Sequence, residues 1–357
     1  MAGATKGVFP EKTSPFLRKK MNSDTGARLS FLDLQYLRSN DEEIVRANEV
    51  RRHYESEVAT MFEGEPLKGV ERLYRQTVLI EPTTICAAHC RWCIRGQYTT
   101  QTLKARDLDR AAKYCGSPDL RDDITEVLVT GGDPLMLVDS LERLLDRIAE
   151  HAPNVRVVRL ATRVPLQAPE RITDRLLAAI RQRGNFRVEI GTHINHPGEL
   201  FSEVRDAYSK LRESVSAIYD QTVLLRGVNN DTETLLELYD GMRELDIEPH
   251  YLFHCVPLKG MAQHRTSVDE GVRLHRELMC SGELSGRTKP HYTLMTDIGK
   301  VTLYEGSIVD RDPTENKLLL RTNYRYSERL RWVPNWQLPS SAVLKDDYLC
   351  VWYQDAQ

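Results

Sequence analysis

No stretch of this chain approaches the roughly 18 consecutive apolar residues that a membrane-spanning helix needs, so no membrane association of that kind is expected. An excess of one charge is missing too. The 49 Lys and Arg residues nearly balance 52 Asp and Glu residues, leaving a formal net charge of −3. Such a balance sets up no broad field for nucleic acid or an anionic membrane surface, and neither is expected as a partner. Met1 to Phe9 contain no apolar core of the secretory type, so a cytoplasmic location is expected. An even set of cysteines is also absent. The seven cysteines, an odd number in 357 residues, argue against a secreted disulfide framework and for a reducing compartment. No internal repeat or low-complexity tract is evident.

What is present suits one large catalytic domain with appendages: 28% of the residues are charged and 41% hydrophobic, an ordinary soluble balance. Residues 1–13 are small, polar and charged, and are expected to be disordered or draped on the surface. Residues 14–62 read as helical, with a capping box at Asn40 and Glu43 and an apolar stripe through Ile44, Val45, Val50, Tyr54, Val58, Met61 and Phe62. Gly64, Pro66 and Gly69 then punctuate the chain.

Beyond them short β-rich runs recur at Thr77–Glu81, Ile124–Thr130, Val155–Ala161, Phe186–Thr192, Ile218–Leu225 and His250–Cys255. After the first interval their starts are separated by roughly thirty residues, the size of one βα repeat. Helical patterns at Leu141–Ala149, Arg171–Arg183, Glu199–Arg212 and Thr232–Glu244 fill the gaps. The predicted fold is α/β: a parallel sheet covered by helices and curled into a partial or complete barrel. An open α/β sheet is the alternative. Three regions are expected: an N-terminal tail and helical region at 1–65, a β/α core at 66–283, and a C-terminal extension at 284–357. The extension contains β-like runs, the Tyr- and Arg-rich segment Arg321–Trp332 and Trp336. It is expected to close the barrel or to make subunit contacts, which admits a homo-oligomer.

Three of the seven cysteines lie within eight residues, Cys86-Ala-Ala-His-Cys90-Arg-Trp-Cys93. Thiolates are soft ligands suited to zinc or iron–sulfur. Three on one tight loop can hold three corners of a cubane and leave its fourth iron open. A structural zinc would want a fourth ligand and usually a second cysteine pair. No such pair exists, and His89 adjoins Cys90 too closely for both to bind one ion with ease. Iron–sulfur is the favoured reading of the spacing; zinc and coincidence stay open.

C-x3-C-x2-C after the first barrel strand is the radical S-adenosylmethionine (SAM) signature. More closely, the chain resembles the lysine 2,3-aminomutase family from about residue 66 to 300. The resemblance runs in order through the cysteine loop Cys86–Arg95, Val129-Thr-Gly-Gly-Asp-Pro-Leu135, Val158–Thr173, Thr192-His-Ile-Asn-His-Pro197 and Asp220–Asn229. It implies a 4Fe-4S cluster on Cys86, Cys90 and Cys93, and SAM chelated at the open iron. It also implies cofactor contacts from Gly131, Gly132, Asp133, His193 and Gln221. The two glycines are expected to let the backbone approach SAM closely, and Asp133 to tie down the loop or bind a polar ligand atom. Arg95 would hold the substrate carboxylate with its planar fork. Pyridoxal phosphate (PLP) would sit on Lys300, the catalytic lysine, with Asp297 on the substrate side. An amino acid substrate and a reducing donor such as flavodoxin or ferredoxin follow from the same likeness. Read without it, Gly131–Pro134 is a good turn, His193 a structural strand-end histidine, Arg95 an ion-pair arginine and Lys300 a surface lysine.

Two departures bear on function. The family's V-V-D-A-P-G-G-G-G-K is here the much shorter Leu294-Met-Thr-Asp297-Ile-Gly-Lys300. The lysine enzymes' Q-C-D segment is here Phe253-His-Cys255-Val256, and Val256 cannot pair with an ammonium group. Asp297 would still favour a cationic or hydrogen-bonding side chain such as arginine's, whereas Lys259 would favour an acidic one. The expectation is therefore an amino acid 2,3-aminomutase acting on arginine, lysine or another polar amino acid. Its rivals are a radical SAM enzyme that modifies an amino acid or peptide without PLP or without amino migration, and a non-catalytic zinc-binding or interaction protein.

Overall fold

The runs read as strands alternate fully buried apolar residues, such as Val127, Val129, Val158 and Leu160, with half-buried ones, such as Glu126, Thr130 and Arg159, so one face packs into the core while the other does not. In the computed structural model, which describes residues 10–22, 29–37, 59–94, 101–181, 183–258 and 261–356, two short helices come first, α1 Pro15–Met21 and α2 Ser30–Tyr36. Ser14 caps α1 by accepting from the Leu17 amide, and Pro15 stands in the first turn, where its missing N–H costs nothing. Next come the short strands β1 Met61–Phe62, β2 Glu65–Pro66 and β3 Val70–Glu71. The helical spacing through residue 62 predicts Met61 and Phe62 to end a helix. They instead pair antiparallel with Glu65 and Pro66 across a turn in which Glu63 and Gly64 both take positive φ. The capping box at Asn40 and the stripe from Ile44 to Val58 lie outside the described residues.

The repeating core follows. It runs β4 Thr77–Thr83, α3 Ala105–Cys115, β5 Glu126–Gly131, α4 Val138–His151, β6 Val157–Ala161, α5 Val164–Gln167, α6 Asp174–Ile180, β7 Arg187–Thr192, α7 Ser202–Arg212, β8 Ala217–Leu224, α8 Thr232–Glu244, β9 Glu248–His254, α9 Val268–Cys280 and β10 His291–Thr296. Thr173, Asp231 and Ser267 cap α6, α8 and α9 through their side-chain oxygens. Strands β4 to β10 pair in parallel, each with the next. The six expected units are thus followed by a seventh parallel strand, β10. After it β11, Gly299–Thr302, turns back antiparallel on β10. Both belong to the main nine-stranded sheet, although they lie beyond residue 283, where the core was expected to end. The strand order is linear from β11 to β3, yet the two edges approach each other. Lys300 in β11 donates its amide to the hydroxyl of Tyr74, between β3 and β4, at 3.1 Å. The sheet is therefore a curled, partial barrel.

The remaining strands, β12 Ile308–Asp312, β13 Lys317–Arg325, β14 Ala342–Lys345 and β15 Tyr348–Gln354, make a separate sheet in the order β12-β13-β15-β14, with helix α10, Tyr326–Trp332, after β13. Outward-facing residues such as Val127, Val129, Val158, Leu160, Val188 and Ile190 join the core beneath the helices. A second apolar cluster lies at the cysteine loop, where Leu17, Phe31, Leu32 and Tyr36 of the N-terminal helices pack with Cys90, Trp92, Val223 and Phe253. Among the described residues no helix is long and apolar enough to cross a membrane.

Candidate active site

The cysteine loop leaves the C-terminal end of β4 and is pinned from two sides. The N-terminal segment lies across it: Lys12 donates from Nζ to the Cys86 carbonyl at 2.6 Å, and the His89 ring nitrogen bonds the Pro10 carbonyl at 2.9 Å. The Lys12 carbonyl accepts the His89 amide, and the Gln35 carbonyl accepts that of Arg91, both at 2.8 Å. On the other side the turn after β5 holds the loop's start. Gly132 donates to the Thr83 carbonyl at 2.7 Å and Asp133 to the Ile85 carbonyl at 2.8 Å.

That contact also calls for glycine at this turn. A Cβ on Gly131 would stand 2.5 Å from the Thr83 oxygen, and one on Gly132 2.4 Å from the Thr84 carbonyl carbon. Gly131 also has a φ of +110°, which L side chains rarely adopt. The turn therefore approaches closely the strand feeding the cysteine loop. Asp133, expected either to tie down the loop or to bind a ligand atom, does the first. Its buried carboxylate accepts from the Leu135, Arg163 and Val164 amides and the Thr162 hydroxyl, at 2.7 to 3.1 Å.

The three thiols are mutual neighbours. The Cys86 thiol is pushed up first by burial, then by the Asp133 carboxylate and by Cys93 and Cys90. Among the described residues no three His, Cys, Asp or Glu side chains converge on a single metal ion. A cubane makes another demand, because each thiolate meets its own iron. The donor set, three clustered soft thiols, fits that group, and binding it would displace the thiol protons.

Arg163, at the N-cap of α5, went unread in the sequence. It reaches into this site: Nη1 donates to Cys90 Sγ at 2.8 Å, Nε to the His193 carbonyl at 2.9 Å and Nη2 to Glu199 at 2.7 Å. Gln167 Nε2 also donates to Cys90 Sγ, at 3.3 Å. Both residues lie in the stretch Val158–Thr173, but no local pattern marks either as a partner of the cysteines.

His193, beyond β7, bonds the Gln221 carbonyl through Nδ1 at 2.6 Å. Because a carbonyl only accepts, Nδ1 carries the proton and Nε2 is left as an acceptor. Burial, then the Arg163 charge, lowers its pKa to about 4, so the ring is neutral. It stands 5.6 Å from the Trp92 ring, centroid to centroid. His193 and Gln221 are thus brought together below the cysteine loop.

Lys300 lies inside the barrel and is not the surface lysine that its sequence alone suggests. Its ammonium position is 4.8 Å from the Tyr251 ring centroid and 5.4 Å from that of Phe253. Tyr74 accepts from its amide, and Tyr324 donates to its carbonyl at 2.6 Å. Burial first, then the Arg159 charge, lowers its pKa to about 8 against an opposing pull from Glu126. A buried amine that is readily neutral suits covalent attachment to an aldehyde, so the residue fits PLP. Asp297 lies in the tight turn between β10 and β11 and accepts a hydrogen bond from Ser341 of the C-terminal segment. Val256 packs on the apolar cluster under the cysteine loop. Arg95 and Lys259 lie outside the described residues.

Known proteins resemble this chain over much of its length. Residues 80–239 match the model of the Radical SAM superfamily. A putative L-lysine 2,3-aminomutase of Aquifex aeolicus is 31% identical over 83% of this chain and 77% of that protein. The L-lysine 2,3-aminomutase of Clostridium subterminale is 30% identical over 75% of this chain and 65% of its own length. A glutamate 2,3-aminomutase of Clostridioides difficile is 34% identical over 64% and 53%. The chain thus spans between about half and three quarters of these relatives.

Proposed function

The chain belongs to the lysine 2,3-aminomutase family of radical SAM enzymes, and from that premise we propose that it moves an amino group from the α- to the β-carbon of a polar amino acid. Membership brings a 4Fe-4S cluster and SAM. The observation that carries the finer reading is Lys300: a buried amine with its pKa lowered to about 8, enclosed by Tyr251 and Phe253 in the barrel whose mouth holds the three cysteines.

When bound on the three cysteines, the cluster would supply an electron to SAM for radical chemistry, and PLP held on Lys300 would supply a π-system for the migrating nitrogen. The protein's part is placement. Cys86, Cys90 and Cys93 would hold the cluster at the open end, and the Gly131–Asp133 turn sets their loop. Neutral His193 offers an acceptor nitrogen beneath it, with Gln221 beside it. Trp92 and the N-terminal helices cover the mouth and exclude water from reactive species. Arg95 is proposed to hold the substrate carboxylate, and Asp297 to stand on the substrate side. The relatives are named for lysine and for glutamate. Here Val256 offers no partner to a lysine head group, so arginine and glutamate stand beside lysine as candidate substrates.

A second reading rests on one observation, the tight β10–β11 turn, in which Thr296 pairs directly with Gly299. A chain with this shortened run could retain radical chemistry without PLP. The test uses protein purified and reconstituted without oxygen, supplied with PLP, reduced with borohydride and mapped by peptide mass. It is paired with incubation with SAM, dithionite and arginine, lysine or glutamate. An adduct on Lys300 and a β-amino acid product are expected. A loaded cluster that cleaves SAM, with no adduct at Lys300 and no β-amino acid, would overturn the aminomutase reading in favour of the second.

A further inference from the structure

The aminomutase reading leaves unexplained why a guanidinium is buried against a cysteine sulfur. Arg163 is only 6% exposed, and burying a cation is costly unless its charge and donors are met. Glu199, itself 3% exposed, answers the charge. The Gln35 side chain at 3.3 Å and the His193 carbonyl answer two further donors. Trp92 and Tyr36 lie against the guanidinium at 5.1 and 5.5 Å. So held, the fork has little freedom, and its remaining arm is aimed at Cys90 Sγ at 2.8 Å. Gln167 is fixed as well: its Oε1 accepts from the Ala88 amide at 3.2 Å while its Nε2 points at the same sulfur. Two donors, one of them charged, thus converge on one ligand sulfur from a helix start 73 residues away in sequence.

We propose that Arg163, supported by Gln167, is a positioning residue that raises the reduction potential of the cluster through the Cys90 sulfur. The proposal rests on the reading that Cys86, Cys90 and Cys93 hold a 4Fe-4S cluster. In the step concerned, the oxidised core gains one electron from an external low-potential donor of the flavodoxin or ferredoxin class, which is oxidised by one electron; no proton need move. The added negative charge appears on iron and sulfur beside a fixed cation in a water-poor interior, where the interaction is weakly screened. Hydrogen bonds to ligand sulfurs and nearby charge are levers on cluster potential. Both act here in the same direction, favouring the reduced core.

The test compares reconstituted wild type with Arg163→Lys, Arg163→Gln and Gln167→Leu. Iron and sulfide are counted first. The midpoint potential is then read by EPR-monitored titration with SAM absent. Arg163→Gln is expected to move the midpoint downward enough to cut the reduced-to-oxidised ratio at fixed reductant at least tenfold, about 59 mV for a one-electron couple. Arg163→Lys, which keeps the charge, should recover part of this, and Gln167→Leu should shift the midpoint less in the same direction. If Arg163→Gln does not fold, the other two variants decide. A wild-type midpoint in variants with full iron and sulfide would overturn the proposal alone. Failure of wild type to take up a four-iron cluster would overturn the parent reading and this proposal with it.

Discussion

Lys300 shows how a single position changes its chemistry when the fold encloses it. An ordinary lysine amine titrates near 10.5, and here burial brings it to about 8. The sign is direct: protonation blocks attack on an aldehyde, so reactivity is low below the pKa and rises through it. Borohydride trapping of PLP on the Lys300 peptide should therefore show a midpoint near pH 8, and a midpoint at the ordinary lysine value would contradict the burial argument. Lys300→Ala should abolish the adduct and β-amino acid formation while iron and sulfide per chain stay unchanged. Replacing Cys86, Cys90 or Cys93 by Ala should instead lower iron and sulfide directly. At this scale the sequence was informative where a motif is local. The cysteine spacing and the Asp297–Lys300 segment are each contiguous. Arg163 and Cys90 are not, and nothing in either neighbourhood encodes a hydrogen bond between them.

The parallel strands were legible as elements because buried strands between capped helices leave compact runs rich in Val, Ile and Leu, as at Val127–Val129 and Val188–Ile190. The hairpin at Met61–Pro66 was not legible. Met61 and Phe62 continue a helical spacing, and local pattern does not reveal that Glu63 joins Gly64 in taking a positive φ and turns the chain back on itself. Gly131 and Gly132 were legible as special, but their close contact with the strand feeding the cysteine loop was not, since pattern cannot say which backbone will pass nearby. Gly132→Ala tests that contact. With 2.4 Å available to the Thr84 carbonyl carbon, the turn or the cysteine loop must shift. A loss of about 1–3 kcal/mol is expected from overpacking, together with reduced cluster loading. Unchanged melting and full iron content would show that this contact is not tight.

Across the whole molecule, the C-terminal segment grips the barrel at several points. Arg265 donates to the Gln354 carbonyl at 2.6 Å, the Val268 amide at the start of α9 bonds Asp355 at 2.8 Å, and Arg329 donates to the Ile298 carbonyl at 2.9 Å. Curling the sheet brings Tyr74 at one edge to Lys300 at the other. Tyr74→Phe should leave the Lys300 amide without that partner, costing about 1–3 kcal/mol, and should slow PLP trapping without changing iron content. A variant with wild-type melting and trapping would show that the edges are held by other contacts. The curl and the second sheet were beyond sequence reading because both depend on contacts between residues far apart in the chain. The measurement that bears most directly on the aminomutase reading is label exchange. Loaded protein is incubated with SAM carrying tritium at the 5′ carbon and with arginine, lysine or glutamate. The account predicts tritium in a β-amino acid product, because the hydrogen removed from substrate and the hydrogen returned share that carbon. A β-amino acid formed without tritium, or SAM cleavage that never labels an amino acid, would contradict it.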